Sequence, residues 1–269
     1  MSVFNFSMLK PLIAVAMLLP SVAVYADFSH QSWDSLLDQH VTMINGGKAS
    51  VVDYAGMQAD KSQLTSYLNA TSKVSQSEFD RWNKNDQLAF LINVYNARTV
   101  ELVLTKYPNI KSIKDIGSLF SSPWKQDFIP IFGKTRSLDD VEHNLIRGSK
   151  RYNDPRIHFA VNCASIGCPA LQDDAFTGKR LDKQLEQVTA KFLADNSRNR
   201  VKGNTLEISP LFKWYKEDFA TNWRGSNNLE GFLGRYSQSL GLNKTQAAAL
   251  KQGKIDISYT DYDWRLNKK

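Results

Sequence analysis

Cys163 and Cys168 are the only cysteines in the chain, and both stand in HFAVNCASIGCPAL, residues 158–171. A thiolate attacks an acyl carbon when a histidine takes or shares its proton and a carboxylate or carboxamide orients the imidazole. Cys163 and His143, with Glu142 or Asn93 as the orienting group, supply every type this chemistry requires. Adjacent helical residues point apart, so Asp139 and Asp140 compete with Glu142 for the role of orienting His143. The loop CASIGCP, with Gly167 and small side chains, could offer backbone N–H groups to an oxyanion. The competing reading is a Cys163–Cys168 disulfide. Closing so short a loop stabilises a fold by about 2 kcal/mol in the chain-entropy model. The spacing His-x4-Cys-x4-Cys from His158 matches no usual zinc pattern, so the residues predict no metal, and nothing else in the chain predicts a cofactor.

These residues need elements to hold them. Residues 156–162 read as a strand, with Arg156, His158 and Asn162 on one face and Ile157, Phe159 and Val161 on the other. Cys163 would continue the apolar face, which makes His143 the better partner and leaves His158 turned away. Ser137 caps a helix over 138–147 that carries Glu142, His143 and Arg147. Arg147, Arg156 and Asp154 form either a site for an anionic group or an ion-pair network that fixes the turn between helix and strand. Residues 84–106 make the most apolar helix, ended by Pro108 and apolar nearly all round, which marks it as central and buried. Asn93 and Asn96 sit inside it, where buried amides must either clamp neighbouring backbone or line a site.

Further amphipathic helices are predicted over 30–45, 57–69 and 178–195. Hairpins turn at Gly133-Lys134 and Gly203-Asn204, and short strands cover ASVVDYAGM and IDISYT. Aromatic residues Phe212, Trp214, Tyr215, Phe219, Trp223, Tyr262 and Trp264 read as core at helical spacing, with a sugar platform as the alternative. The pattern predicts an α+β, helix-rich single domain with a buried central helix packed on a small, mostly antiparallel sheet.

The chain has 269 residues and a formal charge of +7. Its basic residues are dispersed and no recognition motif accompanies them, which argues against nucleic acid as a partner. Such mild basicity suits an anionic envelope polymer or a protein partner. The opening segment carries Lys10, an apolar run from Pro11 to Val24, and the small residues Val24 and Ala26 at the two positions a signal peptidase reads. It predicts a signal peptide cleaved after Ala26 and a periplasmic or secreted product with no stable membrane span. The apolar run, about 14 residues, falls short of the roughly 20 that a spanning helix requires.

Five stretches occur in a fixed order: QLAFLINVYNA, SLDDVEHNLIR, DPRIHFAVNCASIGCPAL, LFKWYKEDF and the tail YDWRLN. Together they resemble the domain of unknown function family 547 (DUF547), found in exported bacterial proteins and in some plant proteins. The resemblance implies that Asn93, Tyr95, Asn96, Glu142, His143, Arg147, Arg156, His158, Asn162, Cys163, Cys168, Pro169, Trp214 and Asp263 fall on signature positions. Leu91 stands where a tryptophan is common. The resemblance names no reaction, and a kinship with papain-like or transglutaminase-like thiol enzymes is an analogy only.

Overall fold

The computed structural model describes Met1, residues 28–117 and residues 121–269. The expected signal peptide and its cleavage point lie outside the described residues. The chain is helix-rich α+β. Helix α1 (Gln31–His40) leads into the hairpin β1 (Val41–Ile44) and β2 (Ala49–Val52). The helical periodicity of 30–45 runs too far, because Val41–Ile44 pairs with Ala49–Val52 as a strand. Helices α2 (Tyr54–Ala59), α3 (Lys61–Lys73) and α4 (Gln76–Phe79) follow, and Ser75 caps the last of these through the Glu78 N–H.

Helix α5 (Lys84–Leu104) is the centre of the molecule, and every residue from Gln87 to Val100 is buried. Asn83 starts it by accepting from the N–H groups of Asn85 and Asp86. Helices α2 and α3 pack on it, as do α6 (Leu138–Asp140), α7 (Leu181–Leu193) and a π helix over Val141–Arg147. The strands are divided among three small sheets. These are β1–β2, the hairpin β3 (Ile129–Ile131) with β4 (Lys134–Arg136), and a three-stranded sheet in the order β5 (Arg200–Lys202), β6 (Thr205–Ile208), β7 (Asp256–Tyr259). Only the β6–β7 pair is parallel among them. One continuous apolar core runs through the domain from Trp33 to Leu266. The remaining helices are α8 (Leu211–Trp214), α9 (Leu229–Arg235) and α10 (Lys244–Lys251).

Residues 156–162 are not a strand. Pro155–Phe159 is a 3₁₀ helix, capped by Asp154, which accepts from the Arg156 N–H. Proline at the first position and an N-capping aspartate favour that turn over extension. Alternation of faces therefore does not apply here, and the reason for turning His158 away from Cys163 disappears.

The tail after β7 runs back over the cysteine loop. Ser165 bridges Leu266, the Ile166 N–H donates to the Arg265 carbonyl, and the Gly167 N–H donates to the Asp263 carbonyl. Further along, Asn267 accepts from the Tyr54 hydroxyl, and the Val52 N–H donates to the Asn267 carbonyl. The last residues thus tie the first hairpin to the loop. A side chain at position 167 would place its Cβ 3.0 Å from the Asp263 nitrogen, so the close approach of tail and loop depends on glycine there.

Candidate active site

Cys163 leaves the 3₁₀ helix on a loop that the central helix holds by its amides. The Asn96 carboxamide donates to the Ala160 carbonyl at 2.9 Å and accepts from the Asn162 N–H at 2.8 Å. Asn162 in turn donates to the Pro169 carbonyl and accepts from the Ala164 N–H. Ala164 has a left-handed backbone, φ 60°, a conformation costly for a residue with a Cβ and retained here by that ring of bonds. Asn93 does the same for the next segment, donating to the Phe176 carbonyl and accepting from its N–H. Asn93, Asn96 and Asn162 are therefore clamps, and their amides are used on backbone instead of on a bound molecule. Arg156 is likewise structural. Its buried guanidinium is held by Asp154, Asp182 and Glu186.

Cys163, His143, Glu142 and His158 line one pocket of about 150 Å³, together with Cys168, Tyr215 and Tyr262. Its mouth is aromatic. Trp214 is 48% exposed, and its ring lies 4.9 Å from Tyr262 and 5.9 Å from Trp264, with Trp124 beyond. Phe212, Phe219 and Trp223 of the same sequence cluster are buried core. Asp139 and Asp263 do not share a role: Asp139 lines the pocket, whereas Asp263 forms an ion pair with Arg265 in the tail.

Both sulfurs are free thiols, and the expected bridge is not formed in this structure. They remain neighbours, since the Cys163 N–H donates to Cys168 Sγ at 2.8 Å. Tyr262 Oη lies 3.1 Å and Ser165 Oγ 3.2 Å from Cys163 Sγ. A hydrogen bond from Cys168, opposed by burial and aided by Ser165 and Tyr262, lowers the Cys163 thiol to about 7. Burial and the neighbouring sulfur push Cys168 upward. The pair thus divides into a thiolate former and a retained thiol.

The loop offers little to an oxyanion. The N–H groups of Cys163, Ala164, Ile166, Gly167 and Cys168 are already donated, to Cys168 Sγ, the Asn162 side chain, Arg265, Asp263 and Ser165 respectively. The oxyanion site expected from CASIGCP is not available in that form, because the tail and the asparagine clamp occupy those donors.

The π helix explains how one helix supplies several pocket groups. The Gly148 N–H donates to the His143 carbonyl at 2.7 Å, five residues back. Such widened turns are rare and concentrate at functional sites. A Cβ at Gly148 would lie 2.5 Å from that carbonyl oxygen, so this closure requires glycine. Within the widened turn Glu142 is buried, and His143 and Arg147 lie side by side.

Four side chains from three segments make one network. Arg147 donates through Nε and Nη2 to Asp218, and through Nη1 to His143 Nδ1 at 2.6 Å. A guanidinium has no acceptor, so His143 Nδ1 accepts and its proton sits on Nε2. Asp139 Oδ1 lies 3.8 Å from that Nε2. His158 Nε2 is 2.7 Å from Asp218 Oδ2. Burial opposes the charge of Asp218, but hydrogen bonds from His158 and Arg147 outweigh it and hold the carboxyl well below the usual range. Asp218 is then an acceptor only, and His158 Nε2 donates to it. The other ring nitrogen, Nδ1, is buried without a partner. The ring stacks on Tyr215, with centroids 4.0 Å apart. Among the described residues no hydrogen bond joins either imidazole to Cys163.

The roles expected from sequence therefore change. A carboxylate does orient a histidine in this pocket, but the pair is Asp218 and His158. His143, with Nδ1 occupied by Arg147, has no free lone pair for a proton. Glu142 orients neither ring: its carboxylate meets the Tyr215 hydroxyl and helps to raise that phenol. Asp218 lies inside LFKWYKEDF, three residues after Tyr215, and its only sequence signal was that it shares a helical face with an aromatic. Tyr262 and Ser165 as thiol partners had no local signal.

Among the described residues no group of three or more His, Cys, Asp or Glu side chains could hold a metal ion, and no helix is long and apolar enough to cross a membrane. No curated protein and no solved structure matches the chain. Residues 79–193, which carry the central helix, the π helix and the cysteine loop, match the family model described as "Protein of unknown function, DUF547", and this supports the family that the motifs resemble.

Proposed function

We propose that this chain is a thiol-dependent acyl-transfer or amide-hydrolysing enzyme with Cys163 as nucleophile, His158 as general base and acid, and Asp218 as the group that orients His158. One observation carries the reading. A thiol of lowered pKa shares a small pocket with a buried, carboxylate-anchored imidazole whose second nitrogen is free. The Cys163 proton passes to His158 Nδ1 and the thiolate adds to the acyl carbon. The C–N bond then breaks, the amine leaves with the proton from His158, and a thioester remains. Water or a second amine attacks that thioester, with His158 taking and returning a proton, and Cys163 is released. In this reading His143 is the oxyanion donor: its Nε2–H, set by the Arg147 hydrogen bond to Nδ1, donates to the acyl oxygen in place of the occupied loop amides. The export expected from the opening segment belongs to the same reading, with action on amide-bearing envelope material.

The test is acylation with an activated ester such as p-nitrophenyl acetate, read by mass spectrometry of the intact chain and its peptides. The reading expects a transient acetyl group on Cys163 and none in Cys163→Ser. A His158→Ala protein should acylate slowly and fail to turn over. Acetylation confined to surface lysines would contradict it.

The neighbouring sulfurs favour one second reading, a non-catalytic envelope-binding protein in which Cys163 and Cys168 are bridged. Protein prepared without reductant and found to have no titratable thiol, together with no acylation after reduction, would support that alternative.

A further inference from the structure

Glu142 is a carboxylate only 5% exposed, and it lines the pocket that holds Cys163. Among the described residues it has no ion-pair partner. Arg147, whose charge it feels, is matched by Asp218. A buried carboxylate without a cation is costly, several kcal/mol for an ion that is neither paired nor well solvated. The Tyr215 hydroxyl, a group that cannot neutralise it, hydrogen-bonds to it. The same pocket is lined by the aromatic rings of Tyr95, Tyr215, Tyr262, Trp214 and Trp264. Aromatic faces attract cations through the ring quadrupole, and several rings closing on one point is the arrangement that recognises ammonium groups. Two of these rings already bear a cation, since Lys114 Nζ lies 3.5 Å from the Trp264 centroid and the Arg147 guanidinium 4.8 Å from that of Tyr215. Asp139 adds a second acidic group to the same wall.

We infer that the pocket binds substrates carrying a positively charged nitrogen near the reactive acyl group, with Glu142 as the specificity-determining residue and the tryptophans and tyrosines as the cage. The inference rests on the acyl-transfer reading for what the nitrogen is attached to, but its binding half stands by itself. An anionic or purely apolar acyl group would leave Glu142 buried beside the ligand without compensation. The expected substrate class is therefore an amide or ester of an amino-bearing acid.

The experiment uses the full chain with Cys163→Ser, so that no thiol chemistry enters. Tryptophan fluorescence is followed on titration with choline, with ethanolamine, and with 3,3-dimethyl-1-butanol, the uncharged carbon isostere of choline. We expect saturable quenching by at least one of the two cations at a concentration about tenfold or more below the isostere. Which cation binds better separates a quaternary from a primary ammonium ligand. Glu142→Gln, close to isosteric, should remove the preference for charge while leaving the aromatic contacts. Equal response to cation and isostere, no saturable response to any of them, or a preference that survives in Glu142→Gln would overturn the inference. Should Glu142→Gln not fold, the comparison of ligands on the Cys163→Ser protein decides alone. An unreactive Cys163 with preserved cation binding would sink the enzyme reading and leave this one standing, and a reactive Cys163 without cation preference would do the reverse.

Discussion

His158 donates through Nε2 to Asp218 at 2.7 Å, and its Nδ1 is buried with no partner. A satisfied core histidine would have used both nitrogens, since an unmade hydrogen bond in the interior costs about 1–3 kcal/mol. In the proposed reading this unused nitrogen is the proton acceptor for Cys163. Asp218→Asn keeps the shape but replaces a carboxylate that accepts three N–H donors from Arg147 and His158 by an amide whose NH2 end can accept none of them. Turnover of an activated ester should fall by about two to four orders of magnitude, as expected for loss of a positioned proton carrier, while alkylation of Cys163 by a neutral reagent persists.

The same carboxylate sets a pH dependence of stability. Its folded pKa is depressed, so the unfolded chain binds this proton more readily. Its contribution is therefore complete above the unfolded value of about 3.9 and is lost as the pH falls from there toward the folded value. Chemical denaturation at pH 7 and at stepwise lower values should show the wild type losing stability below about pH 4, and Asp218→Asn, already weaker at pH 7, losing less over that interval. Parallel losses in both proteins would contradict the ion network.

Gly148→Ala tests the π helix. Its Cβ would meet the His143 carbonyl at 2.5 Å, so the turn must either tighten or open. We expect destabilisation of about 1–3 kcal/mol and weakened ester turnover, because Glu142 and His143 would shift in the pocket lining and Arg147 would lose its contact with His143. A protein with unchanged melting and activity would show that the widened turn is not needed.

Asn96→Ala removes a donor to Ala160 and an acceptor for Asn162, both buried. Denaturation should report a loss of about 2–4 kcal/mol for two groups left without partners, and the Cys163 loop should become accessible to proteolysis. Asn96→Asp should restore the acceptor half and recover part of the loss.

Much of this arrangement was legible in the chain. The central helix announced itself through Leu88, Leu91, Ile92, Tyr95 and Val103, and Ser137, Gly133 and Gly203 marked real caps and turns. The pocket's own residues were mostly visible as types: Cys163, His143, Glu142 and His158 do meet. Their pairing was not legible, for three physical reasons. A short 3₁₀ helix and a strand share the apolar sequence at 156–162, and only the Asp154 cap and Pro155 distinguish them. A π turn needs one extra residue that no periodicity reveals. Asp218 and Tyr262 come from segments 60 and 99 residues away from their partners, where sequence spacing has no bearing.

Peroxide offers a separate check on the sulfurs. The Cys163 thiolate attacks a peroxide oxygen and becomes a sulfenic acid with release of hydroxide, and the Cys168 thiol then condenses with it, losing water and forming a disulfide. Intact-mass analysis should show loss of two hydrogens, reversal by a thiol reductant, and no such product in Cys168→Ser, which should instead accumulate higher sulfur oxides. Separate overoxidation of both cysteines in the wild type would mean that they are not neighbours.

The most direct test of the site is the pH dependence of Cys163 carbamidomethylation by iodoacetamide in reduced protein, followed by peptide mass spectrometry. The account predicts a rate that rises with pH through a midpoint near 7, with Tyr262→Phe and Cys168→Ala moving that midpoint upward. A Cys163 that titrates like an ordinary thiol, near 8.5 or above, or that does not react at all, would contradict it.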